Sequence, residues 1–323
     1  MKALITGVTG QDGAYLAAHL LGLGYQVHGM WRRGSSDTMQ RLVRLGISEH
    51  ANLALVSGDI TDLGSLMRVV EETQPDEVYN LAAQSFVGAS WQQPLYTSLA
   101  TGLGALNMFE AVRTKRPAAR VYQASSSEMC GNAPTEMQDE STPLRPRSPY
   151  AVAKVFAHHM ATNYRDSFGM HISCGILFNH ESPLRGLEFV TRKITHTVAR
   201  IALGRSDILV LGNLQARRDW GHAKDYVKAM HAMLQHPPGD YVIATGHTAS
   251  VEDLCQLAFN CAGLEGCAGY VRSSAALVRP AELHCLCGDA SKAKRVLGWS
   301  ATTTLQQLIE EMVSADLELI RKQ

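Results

Sequence analysis

The sequence predicts an α/β fold, a doubly wound parallel sheet with a smaller α/β lobe interwoven at its substrate side. Three observations carry this. The first half alternates short apolar runs with helix-length segments, as strands joined by crossover helices do. A glycine-rich turn follows the first apolar run directly. Pro75 and Pro117 stand between helix and strand, where a chain break belongs.

The strands expected in order are Lys2 to Thr6, Gln26 to Trp31, Leu53 to Ser57, Glu77 to Leu81, Arg120 to Ala124 and Ile172 to Leu177. Helices are expected at Asp12 to Gly22, Asp62 to Thr73, Gly102 to Thr114 and Pro149 to Ser167. After Phe178 the pattern changes. A stretch rich in Gly, Pro and Arg (Asn179 to Gly186) leads to a helix around Phe189 to Leu203, a short strand near Ile208 to Leu211 and a helix around Ala223 to Leu234. Tyr241 to Ala244 reads as one more sheet strand. The second half should therefore weave between the first sheet and the smaller lobe.

Composition narrows the function classes. Of 323 residues, 46% are hydrophobic and 19% charged, and 30 Lys plus Arg balance 30 Asp plus Glu. A nucleic-acid partner gets no electrostatic support from zero net charge, so an anionic ligand needs a few placed cations and backbone amides. No apolar run approaches the ~20 residues of a membrane span. The first strand starts at Lys2, leaving no room for a signal peptide, and the seven scattered cysteines read as reduced thiols. The expected location is the cytoplasm, and no metal is expected.

The turn Gly7-Val8-Thr9-Gly10-Gln11-Asp12-Gly13 follows a strand and opens a helix, the Rossmann-type arrangement. Its glycines allow a tight turn, close approach of amides to a pyrophosphate, and close packing of helix on strand. Where the second strand ends, an NAD enzyme usually carries an acid for the ribose. Here stand Arg32 and Arg33, then Ser35 and Ser36, which suit a 2′-phosphate and favour NADP. Asp59, with Ile60 beside it, ends the third strand where it could reach an adenine. Asn80-Leu81-Ala82-Ala83-Gln84-Ser85 ends the fourth with small residues against which a cofactor can lie.

Tyr150 and Lys154 stand one helical turn apart on one face. A cation beside a tyrosine favours the phenolate, making Tyr150 a base for a sugar hydroxyl. Upstream, Ser125-Ser126-Ser127-Glu128 closes the fifth strand.

In order and spacing these residues resemble the extended short-chain dehydrogenase/reductase family. The segments Gly7 to Leu16, Tyr79 to Gly88, Asn179 to Pro183, Phe189 to Ile194 and Arg218 to Gly221 are more specifically similar to its GDP-mannose 4,6-dehydratase branch. The resemblance implies an NADP-binding domain over residues 1–178, with returning segments near 217–247, and a nucleotide-sugar lobe mainly in 179–323. It implies an internal redox cycle: NADP oxidises carbon 4 of GDP-mannose as Tyr150 takes the hydroxyl proton. Glu128 then removes the carbon 5 proton and helps water leave carbon 6, where the hydride returns. Ser126 would hydrogen-bond the carbon 4 oxygen. Asn179, Lys193, Arg218, Arg279 and Glu282, with Ser85, fall at substrate-contact positions. His180, Arg185 and Tyr96 fall at cofactor-side positions, and the loop Arg32 to Ser36 implies a homo-tetramer.

Three positions depart from the family pattern: Cys130 replaces an aromatic, His284 an aspartate and Thr101 an aspartate. Cys130 and His284 bear on the exact sugar. Three alternatives stay open: a GDP-4-keto-6-deoxymannose reductase, which would consume NADPH; a dehydratase of another GDP-sugar such as a GDP-manno-heptose; and a catalytically dead NADP-binding regulator. Intact Ser126, Glu128, Tyr150 and Lys154 count against the last.

Overall fold

The computed structural model describes residues 1–32, 34, 39–206 and 208–322. The expected strands form as β1 (Lys2–Thr6), β2 (Gln26–Trp31), β3 (Leu53–Ser57), β4 (Glu77–Asn80), β5 (Arg120–Ser126) and β6 (Ile172–Leu177). After them come β7 (Asn179–Glu181), β8 (Leu209–Leu211), β9 (Arg217–His222), β10 (Asp240–Ile243), β11 (Thr248–Ser250), β12 (Val271–Ser273) and β13 (Cys285–Leu286). One seven-stranded sheet runs β10-β6-β5-β4-β1-β2-β3, and every pair in it is parallel. Strand order reverses between β1 and β4. In such sheets ligands bind beyond the C-terminal strand ends at that switch point.

Successive strand residues serve opposite faces, which is why the strands read as continuous apolar runs. Ala3, Ile5, Tyr79 and Tyr122 face one layer, with the helices Gln11–Gly22 and Ala223–Leu234. Leu4, Val78 and Val121 face the other, with Leu63–Thr73, Gly104–Lys115 and Pro149–Phe168. The sequence therefore winds helices onto both faces, as expected.

A separate core fills the smaller lobe, from the helices Val190–Ala202, Val251–Cys261 and Leu305–Arg321. Beside it β9 pairs antiparallel with β11 and parallel with β7 and β13. Within the segment near 217–247, β9 therefore belongs to this smaller sheet, and only the helix Ala223–Leu234 and β10 return to the large one.

The C-terminal helix is fixed by a buried ion pair. Arg192 Nε lies 3.0 Å from both oxygens of Asp316, and both side chains are buried. Arg192 Nη1 also donates to the carbonyls of Pro183 and Arg185, at 2.8 and 3.0 Å. Removing one partner leaves a buried charge without compensation, so Arg192→Met is expected to cost about 3–5 kcal/mol. Arg192→Met with Asp316→Leu should recover most of it; chemical denaturation of both variants checks this, and equal losses would show that the charge pairing is not what matters.

The helical stretch from Pro94 to Lys115 contains a π-helical turn at Ser98–Leu103. Thr101 lies in this turn, and its Oγ1 accepts from Gln84 N at 3.1 Å. The outer side of the stretch is apolar and bare: Leu95 is 86% exposed, and Leu99, Leu103, Val152 and Phe156 are exposed with it. No helix among the described residues is long and apolar enough to cross a membrane.

Candidate active site

Each part of the site grows from the end of a strand. Gly7 leaves β1 with φ +69°, and a Cβ there would sit 3.2 Å from the backbone of Ala82. A Cβ on Gly13 would meet the Gly7 carbonyl oxygen at 2.3 Å. Glycine is thus required twice, once by conformation and once by contact. The helix Gln11–Gly22 starts from Gly10, which brings no side chain to cap it. Its first amides remain available to an anion, and the partial positive charge of a helix N-terminus favours one. The loop fits the pyrophosphate of a dinucleotide.

Polar side chains fix this loop from beneath. Thr6 Oγ1 donates to Asn80 Oδ1 at 2.9 Å and accepts from the amides of Leu81 and Ala82 at 3.0 Å. Asn80 Nδ2 donates to Gln123 Oε1 at 2.8 Å, and Gln123 Nε2 to the Ala124 carbonyl at 3.1 Å. That carbonyl also accepts from Lys154 Nζ at 2.7 Å. One run of hydrogen bonds therefore joins β1, β4, β5 and the lysine. The side chains of Thr6, Asn80, Gln123 and Lys154 are all buried, where an unsatisfied polar group is costly.

Asp12 and His180 form the charged partner of the loop. His180 Nε2 lies 2.7 Å from Asp12 Oδ2, and Nδ1 lies 2.7 Å from the Phe178 carbonyl. Both partners accept only, so both nitrogens donate and the ring is an imidazolium. Burial opposes the charge on each, but their mutual attraction and hydrogen bond win. Asp12 is held at about 2, and His180 rises above its usual 6.5. The ring stacks on Tyr226 with centroids 4.6 Å apart.

The signs set a pH window. A raised histidine stabilises fully below 6.5 and loses this as pH rises through its folded value; a depressed aspartate stabilises above 3.8 and loses this as pH falls toward about 2. His180→Gln should therefore lose on the order of 2 kcal/mol between about pH 4 and 6.5. The deficit should shrink at higher pH. Thermal melts across pH check this, and a deficit that does not change with pH would mean the ring is neutral.

Tyr150 and Lys154 rise from the first two turns of the helix Pro149–Phe168, which starts at Pro149 and is capped by Ser148 Oγ accepting from Ala151 N. Both side chains are buried. Burial pushes the Tyr150 phenol up to about 12, against the Ser126 hydroxyl, which pulls it down. Glu128 adds to the rise, and Arg185 opposes it. Burial likewise draws Lys154 down to about 8, against the Asp12 charge. The expected help from Lys154 to the phenolate is thus outweighed by burial, its Nζ lying 5.8 Å from the ring centre.

Glu128 stands in the turn Ser127–Cys130 that ends β5, its amide donating to Ser126 Oγ at 3.3 Å. Its Oε1 accepts from Arg279 Nη1 at 3.2 Å across 151 residues of sequence. Arg218 is buried, donates to the Leu283 carbonyl at 3.0 Å and lies 3.6 Å from Glu282 Oε1.

One cavity of about 360 Å³ collects most of the expected residues. Its walls carry Asp12, Leu81, Ala83 and Ser85 from the cofactor side, and Ser126, Glu128, Tyr150 and Lys154 from the chemical centre. Asn179, His180, Arg185, Lys193, Arg218, Arg279 and Glu282 complete it.

Other expected residues lie outside its walls. Asp59 Oδ1 accepts from Thr61 N and Oγ1, closing a local turn, and Ile60 is buried against Gly104. Arg32 Nη1 donates to Tyr96 OH at 2.8 Å, on the surface. Ser35 and Ser36, with Arg33, lie outside the described residues.

Some groups that support or line the cavity escaped the sequence reading. Arg41 donates to the carbonyls of Thr9 and Leu184, at 3.0 and 2.7 Å, and so ties the glycine loop to the segment after β7. Glu188, Phe189 and Trp220 line the cavity itself. Arg185 lies over the Phe189 ring at 3.5 Å. The Arg-Asp-Trp-Gly segment was the available signal for Trp220; Arg41 had none.

Comparison with known proteins agrees with this fold. Solved structures with the same fold include dTDP-glucose 4,6-dehydratase of Streptomyces venezuelae with NAD bound, at TM-score 0.89 and 23% identity, covering 98% of this chain and 97% of that one. UDP-glucose 4-epimerase of Thermus thermophilus in complex with NAD gives 0.86 and 23%, with 98% and 99% covered. Closer in sequence is GDP-mannose 4,6-dehydratase of Sinorhizobium fredii (strain HH103), 49% identical over 99% of this chain and 97% of its own length. GDP-mannose 4,6 dehydratase 2 of Arabidopsis thaliana is also 49% identical, over 99% and 88%. The family model described as GDP-mannose 4,6 dehydratase matches residues 4–312, and with relatives near half identical along the whole chain, this protein belongs to that family.

Proposed function

We propose that the protein converts GDP-D-mannose to GDP-4-keto-6-deoxy-D-mannose and water, with NADP as a cofactor restored in every turnover. The observation that carries this reading is the meeting of Tyr150, Ser126 and Glu128 in one cavity with Arg218, Arg279 and Lys193. A phenol, a hydroxyl and a carboxylate face the space for a sugar, and three cations face the space for a diphosphate.

Gly7 to Gly13 would hold the pyrophosphate of the cofactor, and Leu81, Ala83, Ser85 and His180 its nicotinamide end. When bound, the oxidised nicotinamide supplies a reversible two-electron acceptor and a positive charge beside Tyr150. Tyr150 takes the proton of the carbon 4 hydroxyl while Ser126 holds that oxygen. Glu128 takes the proton from carbon 5, made acidic by the neighbouring ketone, and gives a proton to the departing carbon 6 hydroxyl. The two groups divide the proton transfers, as their separate surroundings allow. Arg32, with Arg33, Ser35 and Ser36, supports NADP through its 2′-phosphate.

The bare apolar face of Leu95, Leu99, Leu103, Val152 and Phe156 supports a homo-oligomer, a tetramer by family likeness. Light scattering of the purified protein tests that assembly, and a monomer at micromolar concentration would refute it. Seven unpaired cysteines support a reducing cytoplasm.

The deciding experiment incubates the purified protein with GDP-mannose and at most a trace of NADP, following product mass. Loss of one water without net change in NADPH is the expected result. No reaction on GDP-mannose, with NADPH oxidation by the 4-keto-6-deoxy sugar, would make the protein a reductase instead.

A further inference from the structure

Two Arg–Glu ion pairs stand along one wall of the cavity, joined through the backbone amide of Arg279. Arg218 Nη2 lies 3.6 Å from Glu282 Oε1. Glu282 Oε2 accepts from Arg279 N at 3.4 Å. Arg279 Nη1 donates to Glu128 Oε1 at 3.2 Å. Two guanidinium groups and two carboxylates cancel in sum, so a diphosphate must compete with a carboxylate for either guanidinium.

The two arginines are not equally free. Arg218 is buried, and its Nη1 is fixed by the carbonyls of Arg217 and Leu283, at 2.8 and 3.0 Å. The Arg279 side chain is 34% exposed, and its guanidinium is held by Glu128. Arg279 can therefore move at the loss of one ion pair. A diphosphate offers it more negative charge and a two-pronged acceptor that matches the guanidinium fork.

We propose that Arg279 is a specificity-determining residue that leaves Glu128 for the substrate diphosphate, so that the base is unmasked only when a nucleotide diphosphate fills the cavity. This rests on the reading of Glu128 as the carbon 5 base. While paired, Glu128 Oε1 is turned to a guanidinium rather than to the sugar. Once Arg279 departs, that oxygen is available. The carbon 5–hydrogen bond then breaks, its proton passes to the carboxylate, and its electron pair enters the enolate on the carbon 4 oxygen. Phosphate recognition thus becomes a precondition of proton abstraction, and a sugar lacking the nucleotide is passed over.

The test supplies the substrate in pieces. The NADP-loaded enzyme is given free 4-keto-6-deoxymannose in deuterated water, and deuterium at carbon 5 is followed with and without saturating GDP. This exchange needs no redox step. GDP should speed exchange about tenfold or more in the wild type. Arg279→Ala should exchange quickly without GDP and respond to it less than about twofold. Arg279→Lys, which keeps the charge without the fork, should fall between them. Circular dichroism establishes that each variant is folded. A wild type that GDP leaves unchanged or slows, or an Arg279→Ala variant that still responds fully, would overturn the proposal. Exchange that persists in Glu128→Gln, or is missing from every form, would overturn the base assignment itself and this inference with it.

Discussion

Glu128→Gln is expected to lower turnover of GDP-mannose by about 10³-fold, since proton transfer by a placed side chain contributes roughly 10²–10⁴. The substitution preserves shape and can still accept from Arg279 through the amide oxygen. What disappears is the capacity to take a proton at carbon 5 and to deliver one at carbon 6. Oxidation at carbon 4 uses Tyr150 and should survive. Single-turnover absorbance should therefore show reduced cofactor accumulating while no water is lost from the sugar. Near-normal turnover would remove Glu128 from the mechanism.

Tyr150→Phe is expected to act one step earlier. The phenol is buried and held up to about 12 by that burial. A base so reluctant depends on positive charge placed beside it, and Lys154, itself drawn down to about 8, keeps most of its charge at neutral pH and loses it as pH rises beyond that value. Removing the hydroxyl leaves no acceptor for the carbon 4 proton, so oxidation and elimination should both fall by about 10²–10⁴. No reduced cofactor should appear in a single turnover, in contrast to Glu128→Gln. If reduced cofactor accumulated in Tyr150→Phe, another group would be the base. The fold is expected to survive, because the ring remains to fill its place.

How much of this was legible depends on the distance over which each feature is written. The glycine loop, the strand ends and the Tyr150–Lys154 pair are local patterns, so the large sheet and the chemical centre could be read directly. Strand ends differed only slightly, as where β5 runs on to Ser126. Nothing after Ala244 was assigned, although signals were present. Ser250 and Asp253 form a capping box before the helix Val251–Cys261, and Thr304 and Gln307 form another before Leu305–Arg321. Other features were never legible. Thr6 meets Asn80, and Arg279 meets Glu128, only because parallel strands and a second lobe bring distant segments together. The upward push of burial on the Tyr150 phenol was hidden for a related reason: sequence shows a lysine one turn away but not how deeply both are buried.

The π-helical turn at Ser98–Leu103 has a consequence for chain length. Each residue added to or removed from a helix rotates everything beyond it by about 100° relative to the other side. The wide turn absorbs a residue that an α-helix would not hold. Deleting one residue there would restore regular winding, yet swing Leu95 and Leu99 around the helix axis relative to Thr101, which is tied to Gln84. The bare apolar stripe and the anchor on Gln84 could not both keep their bearings. Length at this point is a phase setting, and the segment should tolerate substitutions far better than insertions or deletions.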